Sequence, residues 1–190
     1  GSSPDHRLSL RSVDDLAPGR FREIDRAMVT RRRIHEEGHK RKFMAVIDGT
    51  PECGKAVLYA GRRAHMTGGG LVLLYVIPPA DFQHWLGVEE IMRAEAHEEA
   101  EQALDRFARF ARDKANIDPE LVVRDGITRE QVLALIDEDS DIGLLVLAAG
   151  EGKEGPGPLV SSIAGRGSAF PIPVVVVPSG MSDEDIEAVT

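Results

Sequence analysis

Runs of apolar residues with no polar alternation constrain this chain more than any other feature. They cover Phe43–Asp48, where only the last residue is charged, Leu71–Ile77, Leu144–Ala149 and Val174–Val177, with a shorter run at Leu121–Arg124. A strand with one solvated face alternates apolar and polar residues. A strand apolar throughout is buried on both faces, as in a parallel sheet covered by helices. The segments between the runs have helical character. Thr50 and Pro51 suit the cap and first residue of a helix that reaches about residue 66 and stops at Gly68-Gly69-Gly70. An Ala- and Glu-rich helix is predicted over about 88–115, with Ile91, Leu104, Phe107 and Ala108 on its inner face. Helices are also predicted over about 127–137, burying Val132, Leu133 and Ile136, and over about 159–169. Strands alternating with helices predict an α/β domain with a mainly parallel sheet.

That domain occupies residues 42–178. Its 42% apolar content over 190 residues builds a core without metals or disulfides, and the single cysteine, Cys53, excludes an internal disulfide framework. No apolar run approaches the roughly 20 residues of a membrane helix, so no membrane partner is expected and the expected location is the cytoplasm. Residues 1–41 read as a disordered arm plus a short basic amphipathic helix from about 20 to 37, with Phe21, Ile24, Met28 and Val29 at helical spacing and Gly38 ending it. From Arg20 to Lys42 there are nine Lys and Arg against four Asp and Glu. The net charge of −9, with −1 on residues 1–19, therefore leaves −13 on residues 43–190. An acidic folded part argues against nucleic acid as a partner, while the arm Arg20–Lys42 offers a site for an unknown acidic protein partner. Residues 179–190 read as a loose acidic tail.

In open parallel sheets ligands sit outside the carboxyl ends of the strands, where strand order reverses. Asp48, Gly49 and Thr50 follow strand one. Strand four opens into a loop with Gly150, Gly152, Gly155 and Gly157 around Lys153, and Ser161 and Ser162 follow at a predicted helix start. Such a loop brings backbone N–H groups and hydroxyls close to an anion.

Three motif matches are weaker than their letters suggest. Gly49 to Ala56 nearly reproduces the G-x-x-x-x-G-K-[ST] phosphate loop, but Ala56 stands where a magnesium-binding hydroxyl is needed and Pro51 removes an amide. Gly150, Gly152 and Gly155 space as a dinucleotide fingerprint, but on the fourth strand and with Pro156 and Pro158 delaying the helix. His35 and His39 fit H-E-x-x-H, but Gly38 weakens the helix the motif needs and no third ligand is evident. No dedicated metal site and no nucleophile–base pair is expected, and Cys53 reads as a buried structural thiol.

With the elements placed, the chain resembles the universal stress protein family over about 42–178. The resemblance rests on Phe43-Met-Ala-Val-Ile-Asp48-Gly-Thr-Pro-Glu52, on the strand end Leu73-Leu-Tyr-Val76, and on Ser162 followed by Pro173-Val-Val-Val-Val177. It implies a five-stranded Rossmann-like sheet of order 3-2-1-4-5 with helices on both faces, and a homodimer through the last strand, Val174, Val175, Val176 and Val177. It also implies a stress-response regulator that binds ATP, with Mg, or AMP. Asp48 would lie near adenine and ribose, and Val76 would offer backbone contacts to the base. The family's phosphate loop, G-x-x-G-x9-G-[ST], falls here on Ala148, Glu151, Ser161 and Ser162, so only the last hydroxyl survives in register, with Gly150, Gly152 and Lys153 as shifted neighbours. The resemblance leaves two alternatives, an adaptor that binds no nucleotide and a slow ATP hydrolase; the lack of an evident metal ligand argues against the enzyme.

Overall fold

The structure, a computed structural model, describes residues 30–79, 86–150, 157–164 and 170–190. In chain order these form β1 (Lys42–Ile47), α1 (Cys53–Thr67), β2 (Gly70–Ile77), α2 (Leu86–Ala115), β3 (Glu120–Asp125), α3 (Thr128–Glu138), β4 (Ile142–Ala148), α4 (Pro158–Ala164), β5 (Val174–Val177) and α5 (Asp183–Val189). All neighbouring strands are parallel, and the sheet order is β3-β2-β1-β4-β5.

Each uninterrupted apolar run divides its side chains between two cores. On one face Phe43, Ala45, Ile47, Leu71 and Leu73 meet α1, α2 and α5; on the other Met44, Val72, Leu74 and Leu145 meet α3 and α4. This is why the strands show no polar alternation. The α1–β2 turn needs its glycines. Gly68 takes φ 68° and donates to the carbonyl of His65, Gly69 donates to Ala64 at 2.8 Å, and a Cβ on Gly69 would collide with the carbonyl of Arg41.

Four expectations are corrected. Thr50 and Pro51 do not start α1; they form a turn ahead of it, and the helix begins at Cys53. Ile91 is not on an inner face but 61% exposed, because a 30-residue helix of about 45 Å outruns strands of about 20–27 Å. The buried seam of α2 begins only at Ala100 and continues through Ala103, Leu104, Ala108 and Ala111.

The third correction concerns the arm, of which residues 1–29 lie outside the described part. Residues 30–33 have no regular structure and 34–38 form turns, instead of the helix expected to reach 37, since polar groups of Thr30 and Arg32 find fixed partners at the end of α3. Thr30 donates both its amide and hydroxyl to Asp137 at 2.8 Å, and Arg32 Nη1 donates to the carbonyls of Ile136, Asp139 and Ile142. A helix C-terminus leaves such carbonyls without intrahelical donors, so the guanidinium gains more there than on a free helix.

The fourth concerns the tail, which is not loose. Its helix α5 opens with a capping box in which Ser182 and Asp185 each bind the other's backbone N–H. Ile186 is fully buried against the first core. Arg62 and Arg63 of α1 hold Thr190 at 2.7 and 3.2 Å, and Lys55 donates to the carbonyl of Met181.

Candidate functional site

The strand order reverses between β1 and β4, and there the sheet opens. The two strands are paired from Phe43↔Leu144 to Ala45↔Val146, although β1 continues to Ile47 and β4 to Ala148. Beyond that point β1 stays with β2 up to Ile47↔Tyr75, and β4 stays with β5 up to Ala148↔Val177. The carboxyl ends of the two central strands thus part company, which leaves a cleft at the edge where parallel sheets hold ligands.

Asp48 stands at the mouth of this cleft, directly after β1. Its Oδ1 accepts from the Thr50 amide at 2.9 Å, the Thr50 hydroxyl at 2.7 Å and the Cys53 thiol at 2.9 Å. The same sulfur accepts from the Asp48 backbone N–H at 3.4 Å. Gly49 makes the turn possible with φ 82°, a conformation costly for any residue with a Cβ. Burial pushes the Asp48 carboxyl upward, but the donors from Cys53 and Thr50 outweigh it and hold the carboxyl below its usual 3.8. The Cys53 thiol responds in the opposite sense: burial, and then the bond to Asp48, push it up to about 12. It is a buried hydrogen-bond donor and no nucleophile.

Of the other predicted site residues, the described ones that end or directly follow strands lie on the same edge. Val76, one residue before the end of β2, is buried at 7% exposure. Ala148 ends β4, and Gly150 follows it, exposed. Gly152 and Lys153 lie outside the described residues. Ser161 and Ser162 sit after the first turn of α4, not at its start, and the Ser161 amide already donates to Gly157 at 3.0 Å. That leaves its hydroxyl, and not its N–H, for an anion.

The discounted motifs find structural uses. Lys55, the lysine of the near-miss phosphate loop, points to the segment before α5. His39 pairs with Asp141 at 2.6 Å, and residues 35–38 are not helical, so His35 and His39 do not form a metal-binding helix face. Among the described residues no group of three or more His, Cys, Asp or Glu is placed to hold a metal ion, and no helix is long and apolar enough to cross a membrane. Sequence reasoning missed the partnership of Cys53 with Asp48. The signal was an aspartate at a strand end five residues before a cysteine at a helix start, which the turn ahead of α1 folds back over the aspartate.

A five-stranded parallel sheet of this order, with helices on both faces, defines a Rossmann-like α/β protein. The profile of the Universal stress protein family matches residues 40–178, and the chain belongs to that family. A comparison with curated proteins finds no significant match. Among solved structures it is similar to universal stress protein UspA from Lactobacillus plantarum, at 17% identity and a TM-score of 0.60, over 73% of this chain and 98% of that one. A universal stress protein in complex with cAMP matches at 17% identity and a TM-score of 0.56, over 74% and 98% of the two chains. The universal stress protein from Archaeoglobus fulgidus in complex with dAMP matches at 14% and 0.50, over 72% and 96%. At these identities the likeness establishes the fold.

Proposed function

We propose that this universal stress protein binds an adenine nucleotide in the cleft between β1 and β4 and acts as a nucleotide-responsive regulator of a stress response. The observation that carries the reading is the parting of the two central strands beside an Asp48 carboxylate whose Oδ1 is already saturated by three donors. Asp48 then meets the ribose and the Val76 backbone meets the base, with Gly49 and Thr50 shaping the wall and Ala148, Gly150, Gly152, Lys153, Ser161 and Ser162 on the phosphate side. Relatives of this fold solved with cAMP and with dAMP support a nucleoside monophosphate as the first ligand to test. Glu151, which lies outside the described residues, takes the place of a glycine of the family's phosphate loop, and a carboxylate there opposes added negative charge, so AMP is expected to bind more tightly than ATP with Mg.

Calorimetric titration of the full chain with AMP, and separately with ATP and Mg, tests this. At AMP concentrations about 100 times Kd the linkage stabilisation is about 2.7 kcal/mol, which raises Tm by about 5–10 °C for a chain of this size. No heat and no change in Tm with millimolar AMP or ATP would overturn the nucleotide reading in favour of an adaptor working through Arg20–Lys42.

We also propose that β5 pairs with its counterpart in a second copy. Among the described residues it has a strand neighbour on one side only, β4, and Val176 is 42% exposed while Val177 is buried. An unprotected all-valine edge favours pairing with another strand. Sedimentation of the wild-type chain is expected to give a dimer, and Val176→Pro, which removes an N–H on the side of β5 away from β4, a monomer. A wild-type monomer at tens of micromolar would dismiss this edge as an interface.

A further inference from the structure

The cleft residue Asp48 does not hold its own position, and the contacts that hold it come from a side chain that no nucleotide needs to touch. The Cys53 sulfur engages Asp48 twice, donating its proton to Oδ1 at 2.9 Å and accepting the Asp48 backbone N–H at 3.4 Å. Thr50 adds its amide and hydroxyl to the same Oδ1. The other acceptors within reach of the thiol proton, the carbonyl of Val46 and the hydroxyl of Thr50, are both farther away at 3.7 Å. Cys53 itself is 3% exposed and packed in the core beside Ala56 and Val57, so its own rotamer is set by its surroundings. A carboxylate oxygen offers about two lone-pair directions. Three donors converging on Oδ1 exhaust it, and among the described residues no donor reaches Oδ2, the carboxylate oxygen left for a ligand.

We propose that Cys53 is a positioning residue for nucleoside recognition: its thiol, clamped on both the backbone and the carboxylate of Asp48, turns Oδ2 toward the ribose hydroxyls of the nucleotide. The inference rests on the nucleotide reading above and adds to it a residue and a chemical selectivity. A carboxylate oxygen with no donor of its own selects ligands that carry a hydroxyl there. Ligands with a ribose diol therefore depend on Cys53, and ligands lacking the diol do not. The role is that of a hydrogen-bond donor in a fixed place and requires no thiolate.

Cys53→Ser keeps a donor and an acceptor at the site; Cys53→Ala removes both. Two readouts separate a positioning role from a merely structural one. The first uses ligand-free protein, with the Asp48 carboxyl followed by carbon NMR through an acid titration. Cys53→Ala is expected to raise the Asp48 midpoint, because a donor to its ionised form is lost, and Cys53→Ser to restore it. The second is the affinity for AMP and for 2′,3′-dideoxy-AMP. Cys53→Ala is expected to weaken AMP by roughly tenfold, the factor set by one charge-assisted hydrogen bond, and to leave the dideoxy compound unchanged. An Asp48 midpoint identical in wild type and Cys53→Ala overturns the proposal, as does equal weakening of both ligands. If wild-type protein binds neither compound, the nucleotide reading and with it the ribose selectivity fall, while the carboxyl titration still decides whether Cys53 positions Asp48.

Discussion

Ile186→Ala is expected to cost about 2–5 kcal/mol of stability, the range for truncating a buried aliphatic side chain to alanine. The size of the effect comes from where Ile186 sits. It is fully buried, and it is the only buried residue of α5, so the seven-residue helix has no other apolar anchor. An isolated helix of that length is unstable in water. Its capping box and the contacts of Arg62 and Arg63 with Thr190 assist only while Ile186 stays docked. Urea unfolding of the two proteins gives the difference directly. Amide exchange then separates two routes: faster exchange confined to residues 183–189 reports undocking of the helix, and faster exchange across β4 and β5 reports a weakened core. A loss under about 0.5 kcal/mol, the level of an ordinary surface change, would mean that α5 contributes nothing to the domain. The helix lies beyond residue 178, where the family match ends.

Asp48→Ala is expected to weaken AMP by about 10–100-fold, since it removes a charged acceptor for the ribose, a bond of about 1.5–3 kcal/mol. It also strands the Thr50 and Cys53 donors. Asp48→Asn is the cleaner variant: its carbonyl oxygen still accepts from those donors, while the charge is lost and an NH2 donor replaces the acceptor Oδ2. Binding equal to wild type in both variants would exclude Asp48 from the site. The same residue carries a pH signature. Its folded pKa is depressed, so the stability it contributes is present above its unfolded value of about 3.9 and is lost as pH falls through the lower folded value. Urea midpoints measured from about pH 2 to 5 should therefore fall less steeply toward acid in Asp48→Asn than in wild type. Identical slopes would show that the carboxylate gains nothing from its three donors.

The amino-acid sequence by itself determined the layers and the edge of the sheet where a site can lie. Continuous apolar runs such as Leu71–Ile77 and Val174–Val177 admit one placement, between two helical layers, and parallel strands carry their following polar residues to one edge. Asp48, Gly49, Thr50, Val76, Ala148 and Gly150 are on that edge because local periodicity and chain direction suffice to put them there. Tertiary structure alone decided the partnerships. The Asp48–Cys53 clamp depends on how α1 enters the sheet, and the cleft depends on β1 and β4 separating after Ala45 and Val146. Spacing predicts a helix reaching residue 37, but in the described part of the arm Arg32 lies against the carbonyls of Ile136, Asp139 and Ile142, more than 100 residues away. The tail was read as loose from its charge, but one isoleucine and a capping box dock it on α1. Periodicity and composition describe a segment in water; these segments took their conformation from acceptors and apolar surface supplied by distant parts of the chain.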